Sequence, residues 1–115
     1  MKAKSLLLLI VFCGLLLSPR SGLAEENGIT EDGESLYVKK FCVTCHGEKG
    51  ISLYPNYPNL ANQNPQYLVN QVKDIIAGKR ATKLTLLMTD NPVVVKTTDA
   101  EIQAIAEYLN KVQGE

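Results

Sequence analysis

Five consecutive residues, Cys42-Val43-Thr44-Cys45-His46, limit what this chain can become more than any other stretch. The thiols lie three positions apart and the imidazole follows at once, so on a helix all three share one face. That spacing is the attachment signature of c-type haem. Each thiol adds across a vinyl group of the porphyrin to give a thioether, and the histidine beneath the ring gives a nitrogen to iron. Other chemistries fit the residues less well. His46 is the single histidine, and Cys13 is the one further cysteine, so a zinc site of the usual kind lacks a fourth ligand. A thioredoxin-like pair belongs in a βαβ setting, which the sequence does not show. A disulfide between positions i and i+3 closes a small, strained loop. Two buried cysteines beside a hydrogen-bonded histidine would spell the same letters. Against that stands the placement of the only histidine directly after the only close cysteine pair.

Residues 1–24 read as a secretory leader. Lys2 and Lys4 supply a positive start, Leu6 to Leu17 is a short apolar run, and Gly22-Leu23-Ala24 places small residues at −3 and −1 of a cleavage point. A retained anchor is the alternative, but the run is shorter than the roughly 20 apolar residues a spanning helix needs. A lipoprotein would carry a small residue before its cysteine, whereas Phe12 precedes Cys13. Cleavage after Ala24 leaves residues 25–115 as a single domain. It removes Lys2, Lys4 and Arg20, so nine of the twelve basic residues remain against twelve acidic ones. A mildly acidic product excludes the basic footprint of a nucleic-acid binder. A domain this small has a marginal core, and a covalent cofactor would act both as staple and as apolar core.

The remaining pattern is helical. A first helix is predicted from near Thr30, with Glu31, Asp32 and Glu34 at its positive end, running through Leu36, Tyr37 and Phe41 into the thiol motif and stopping at Gly47. Residues 48–64 read as loop, rich in Gly, Pro and Asn; Tyr54 and Tyr57 there either pack on haem or cover the surface. Asn64-Pro65 opens a second helix, with Leu68, Val72, Ile75 and Ile76 on one stripe and Gly78 at its end. Val93 to Val95 is too short and unpartnered for a strand and reads as loop. Thr98 and Glu101 form a capping box before a last helix whose Ile102, Ile105, Ala106, Leu109 and Val112 share a face. The fold class is therefore all-α: about three main helices, with loops, wrapped around one covalently attached haem.

In this order of elements, from about Thr30 to Val112, the chain resembles the small bacterial monohaem class I c-type cytochromes. The resemblance implies that haem is attached outside the cytoplasm, hence a periplasmic protein. It implies that Gly33 and Tyr37 lie where the first and last helices cross, opposite an aromatic such as Tyr108. It places the Pro58 carbonyl on the free ring nitrogen of His46, where it would fix the ring and raise its basicity. Arg80, in Gly78-Lys79-Arg80, would meet a haem propionate. Met88 falls where the family has its distal ligand, although the family's small residues and nearby proline are replaced by Leu86-Leu87-Met88-Thr89-Asp90 with Pro92 downstream.

Elimination points the same way for the sixth ligand. No second histidine exists, and Met88 is the one methionine beyond Met1. Methionine is also ordinary core filler. Lys83 or Lys96 would have to lose a proton to bind metal. Thioether ligation raises the reduction potential. With both axial positions filled, the expected function is single-electron transfer between a protein donor and acceptor, not catalysis. The competing readings are an electron-transfer subunit of a larger dehydrogenase or oxidase and, were the sixth site open, a haem gas sensor. Lys39, Lys49, Lys79, Arg80 and Lys83 are candidates for a basic docking edge. No Ser/His/Asp set is available, because the only histidine is committed, and the acidic pairs are better explained by capping and by a solvated terminus.

Overall fold

A computed structural model describes residue 28 and residues 30–112. The leader and its cleavage point lie outside the described residues. Those described form six α-helices and one 3₁₀ turn, without a strand: α1 (Gly33–Lys39), α2 (Cys42–His46), the turn Glu48–Gly50, α3 (Pro65–Ile76), α4 (Lys83–Thr89), α5 (Pro92–Val95) and α6 (Asp99–Lys111). None is long and apolar enough to cross a membrane.

Local chemistry sets these boundaries. The Asp32 side chain accepts from the Ser35 amide at 2.9 Å, so α1 starts at Gly33, three residues beyond Thr30. Asn64 accepts from the Tyr67 amide at 3.1 Å with Pro65 at the first helical position, and Gly78, at φ 72°, takes the left-handed turn after α3. At α6 the capping box is reciprocal: Thr98 Oγ1 accepts from the Glu101 amide at 3.3 Å and Glu101 accepts from the Thr98 amide at 2.9 Å.

Two expectations fail. The first helix does not run into the thiol motif. Phe41 adopts the left-handed region, at φ 64°, and α2 begins afresh behind it. A side chain there costs about 1–2 kcal/mol, which the packing on either side must offset. The Val93–Val95 stretch is not loop but the body of α5, started by Asn91, whose side chain accepts from the Val93 amide at 2.9 Å, with Pro92 behind it. The preceding leucines are helical as well. In α4, Thr82 and Thr85 cap one another through side chain and backbone at 2.7 and 3.2 Å.

The core lies where α1 and α3 pack on α6. Leu36 and Tyr37 of α1, Leu68 and Val69 of α3, and Ile102, Ile105, Ala106 and Leu109 of α6 are buried together, with Cys42 and Val43 packed against them. The α1–α6 crossing is close because Gly33 has no side chain. A methyl group there would overlap the Ala104 carbonyl oxygen and lie 2.7 Å from Tyr108 Cβ. One turn on, the rings of Tyr37 and Tyr108 meet at 5.9 Å between centroids. Lys40 and Glu101 add an ion pair at 2.8 Å across the same seam.

That pair and the cap hold the Glu101 carboxyl below its ordinary range, Lys40 first and the Thr98 amide second. A depressed carboxylate contributes stability above its unfolded pKa, and that stability is lost as pH falls through the folded value. Thr98→Ala should cost about 1 kcal/mol in chemical denaturation at neutral pH. In Glu101→Gln the loss of stability between neutral pH and the acid range should be shallower than in the parent.

Candidate functional site

The helix α2 is a single turn, and it carries all three residues of the motif on the same face. Its geometry is set from both ends. Gly47, at φ 78°, closes it by returning its amide to the Val43 carbonyl at 3.0 Å. A side chain at Gly47 would overlap the Ile51 carbonyl. Tyr37, almost fully buried, donates its hydroxyl to the Gly47 carbonyl at 2.8 Å. Burial raises its phenol far above the ordinary range, so this donor stays protonated. Below the motif, Ser52 donates to the Cys45 carbonyl at 3.1 Å, and its own amide donates to Asn59 Oδ1 at 2.8 Å. The motif is therefore tied both to α1 and to the following loop.

That loop delivers Pro58. The Gly50 carbonyl accepts from the amides of Leu60 and Ala61 at 2.7 and 3.2 Å, and the Asn62 amide donates to the Leu109 carbonyl at 2.8 Å. The segment is thereby pinned to α6. Its Pro58 carbonyl lies 3.0 Å from Nδ1 of His46. A neutral imidazole has one donor and one acceptor nitrogen, so Nδ1 carries the proton and Nε2 keeps its lone pair. The ring is buried, at 7% exposure, and burial lowers its pKa while the Pro58 carbonyl partly opposes that. No hydrogen-bond donor among the described residues meets Nε2.

The two thiols are free of any disulfide and half-buried. Cys42 packs against the core, and desolvation pushes its thiol up to about 11. An unperturbed thiol near 8.5 is already a poor thiolate source at neutral pH, so Cys42 rests here as a thiol. Among the described residues no group of three or more His, Cys, Asp or Glu side chains could hold a metal ion. A buried histidine with a bare Nε2 beside two free thiols on one turn is instead the donor set for a metal whose remaining ligands arrive with it. The residues fit haem: two thiols for its vinyl groups and one nitrogen for its iron.

The other candidates lie on other segments than α2. Met88 sits in α4 and is partly buried. Arg80 is exposed just before α4, and its guanidinium donates to Gln71 Oε1 at 2.7 Å. Tyr54 and Tyr57 face one another edge to face at 5.9 Å, around a shallow depression lined by residues 52–55 and 57–59. Tyr37 lies at the helix crossing that the resemblance implies, while its hydroxyl on the motif has no local signal in the sequence. Nothing in the sequence marks Ser52, a loop serine whose role exists only once the loop folds back.

Comparison with known proteins agrees with this geometry. The sequence model for the family described as cytochrome c matches residues 30–113. Cytochrome c4 of Thiocapsa roseopersicina is 32% identical over 90 residues, which are 78% of this chain and 38% of that protein. Cytochrome c-554(548) of Halomonas halodenitrificans is 40% identical over 67 residues, 58% of this chain and 78% of the relative. A protein of Stutzerimonas stutzeri (strain A1501) named as a thiosulfate dehydrogenase electron acceptor is 37% identical over 71 residues, 62% of this chain and 32% of the relative. The chain thus spans about two fifths of the length of the cytochrome c4 relatives.

Proposed function

The chain belongs to the cytochrome c family, and from that premise we propose that it is an exported monohaem carrier passing single electrons between a protein donor and a protein acceptor. In this reading residues 1–24 are cleaved and residues 25–115 act as one periplasmic domain. Cys42 and Cys45 stand at the family's attachment spacing for haem c. Bound haem supplies a one-electron couple at iron. The chain's part is to hold that couple and keep it closed. His46 offers Nε2, and Pro58 keeps the ring in one tautomer and one orientation. Met88 would offer its thioether as the second protein donor to the iron, which would leave no position for a substrate. The reading therefore assigns no catalysis. Arg80 serves a propionate on exchanging Gln71 for it. The observation that carries the proposal is the buried His46 ring, with Nδ1 bonded to Pro58 and Nε2 bare, on the same turn as two free thiols.

A second reading has its own support. Two relatives carry the name thiosulfate dehydrogenase electron acceptor, which favours a dedicated acceptor for one dehydrogenase over a general carrier. Rapid reduction by such an enzyme, with slow reduction by unrelated donors, would select it.

Acid–organic extraction of the purified protein should leave haem on the polypeptide, and Cys42→Ala should weaken its retention. Haem that extracts freely from the parent, or zinc in place of iron on metal analysis, would end the reading. Should Lys79, Arg80 and Lys83 form the docking edge, the transfer rate falls steeply as salt rises.

A further inference from the structure

The outward face of α4 turns away from Met88, and its pattern is specific. Lys83, Leu86, Leu87 and Asp90 stand at i, i+3, i+4 and i+7, which places them on one side of the helix. All four are exposed, the two leucines at 51% each. The opposite side carries Thr85, which is buried, and Met88 and Thr89, which are half-buried. Thr85 fixes the rotation of the helix, donating its hydroxyl towards the carbonyls of Arg80 and Thr82 at 3.2 and 3.1 Å. The exposed stripe is thus an apolar centre with a cation at one end and an anion at the other. Neither charged side chain pairs with another described residue. Both also oppose the helix dipole: Lys83 lies at the positive end and Asp90 caps the negative one. Helix stability accounts for neither.

A stripe ordered cation, apolar, apolar, anion is complementary to itself after a half-turn. We propose that this face docks on the same face of a second copy of the chain. Two α4 helices lie antiparallel across a two-fold axis, Leu86 and Leu87 meet at the axis, and Lys83 of each copy faces Asp90 of the other. Such isologous pairing is the commonest symmetry of soluble oligomers. The neighbouring Lys79, also exposed, adds positive charge at the end that meets Asp90 of the second copy. One seven-residue helix per copy covers far less than the roughly 1,000 Å² of a stable interface, so the dimer is weak, reversible and salt-sensitive. The inference is independent of how the iron is ligated.

Sedimentation velocity of the haem-loaded protein at low ionic strength tests it. The parent should shift from monomer to dimer as concentration rises, and added salt should reverse the shift. Lys83→Asp alone and Asp90→Lys alone each set like charges face to face, and each should weaken association by roughly tenfold or more. An equimolar mixture of the two variants, and the double variant, should both recover it, because opposite charges meet again. Unchanged haem spectra in all variants show that the fold is intact. A parent that stays monomeric at the highest concentration, a dimer indifferent to both reversals, or a mixture that fails to recover would each overturn the proposal. A monomer whose reversals change only its rates with a redox partner would assign the stripe to that partner instead.

Discussion

Gly33→Val should remove most of the stability of the domain, and Gly33→Ala should already cost several kcal/mol. The reason is steric and lies in the backbone of the partner helix. A β-carbon at position 33 would overlap the carbonyl oxygen of Ala104 and stand 2.8 Å from its carbon and 2.7 Å from Tyr108 Cβ. The Ala104 carbonyl cannot move without α6, and α6 carries four of the buried core residues. Overpacking in a yielding core costs about 1–3 kcal/mol; here the obstacle is a main chain held by its own hydrogen bonds. Separating the helices would also part Tyr37 from Tyr108 and weaken the hold of the Tyr37 hydroxyl on Gly47. The damage thus reaches the thiol-bearing turn. Gly78→Ala is the control. That glycine has φ 72° but open space around it, so only the left-handed penalty of about 1–2 kcal/mol applies. Denaturant unfolding of both variants, haem-loaded, makes the comparison. A Gly33→Ala loss no larger than that of Gly78→Ala would show that the crossing is looser than described.

Met88→Ala should lower the reduction potential by on the order of 0.1 V or more, the expected cost of exchanging a thioether for water or nothing at one axial position. The structural cost should be smaller. Met88 is partly buried on a helix whose caps, Thr82 and Thr85, are untouched, so stability should fall by about 1–2 kcal/mol. A large drop in potential with a modest loss of stability separates a ligand from core filler. If stability falls and potential does not, Met88 only packs. Spectroelectrochemical titration and denaturant unfolding of the same preparation give the two values.

Much of this was legible because the signals are local. The thiol motif, the caps at Asn64-Pro65 and Thr98–Glu101, and the glycine stops at 47 and 78 each act within a few residues, and each appears where the sequence put it. The contact between Pro58 and His46 came from resemblance; twelve positions apart, the two have no local code. The failures have physical causes too. Nothing in Lys39-Lys40-Phe41-Cys42 announces a break, since every residue there tolerates a helix; the left-handed turn at Phe41 is imposed by packing α1 and α2 at once. The α4 cap uses threonine at the third helical position, where the usual capping box has Glu or Gln. The α5 signal, Asn91-Pro92, matches Asn64-Pro65, but three β-branched residues behind it have low helix propensity. Arg80 is the converse case: the sequence motif is present, while the folded chain gives its guanidinium to Gln71.

The central proposal is that His46 and Met88 would together fill the two positions that haem leaves open on its iron, which would make the chain a carrier and not a sensor or an enzyme. Carbon monoxide addition to the reduced, haem-loaded protein near neutral pH tests this most directly, followed by absorption spectroscopy with Met88→Ala in parallel. The parent spectrum should remain unchanged, or change only slowly, and the variant should respond at once. Prompt carbon monoxide binding by the parent would contradict it, because the sixth position would then be open and Met88 would be no more than a side chain in α4.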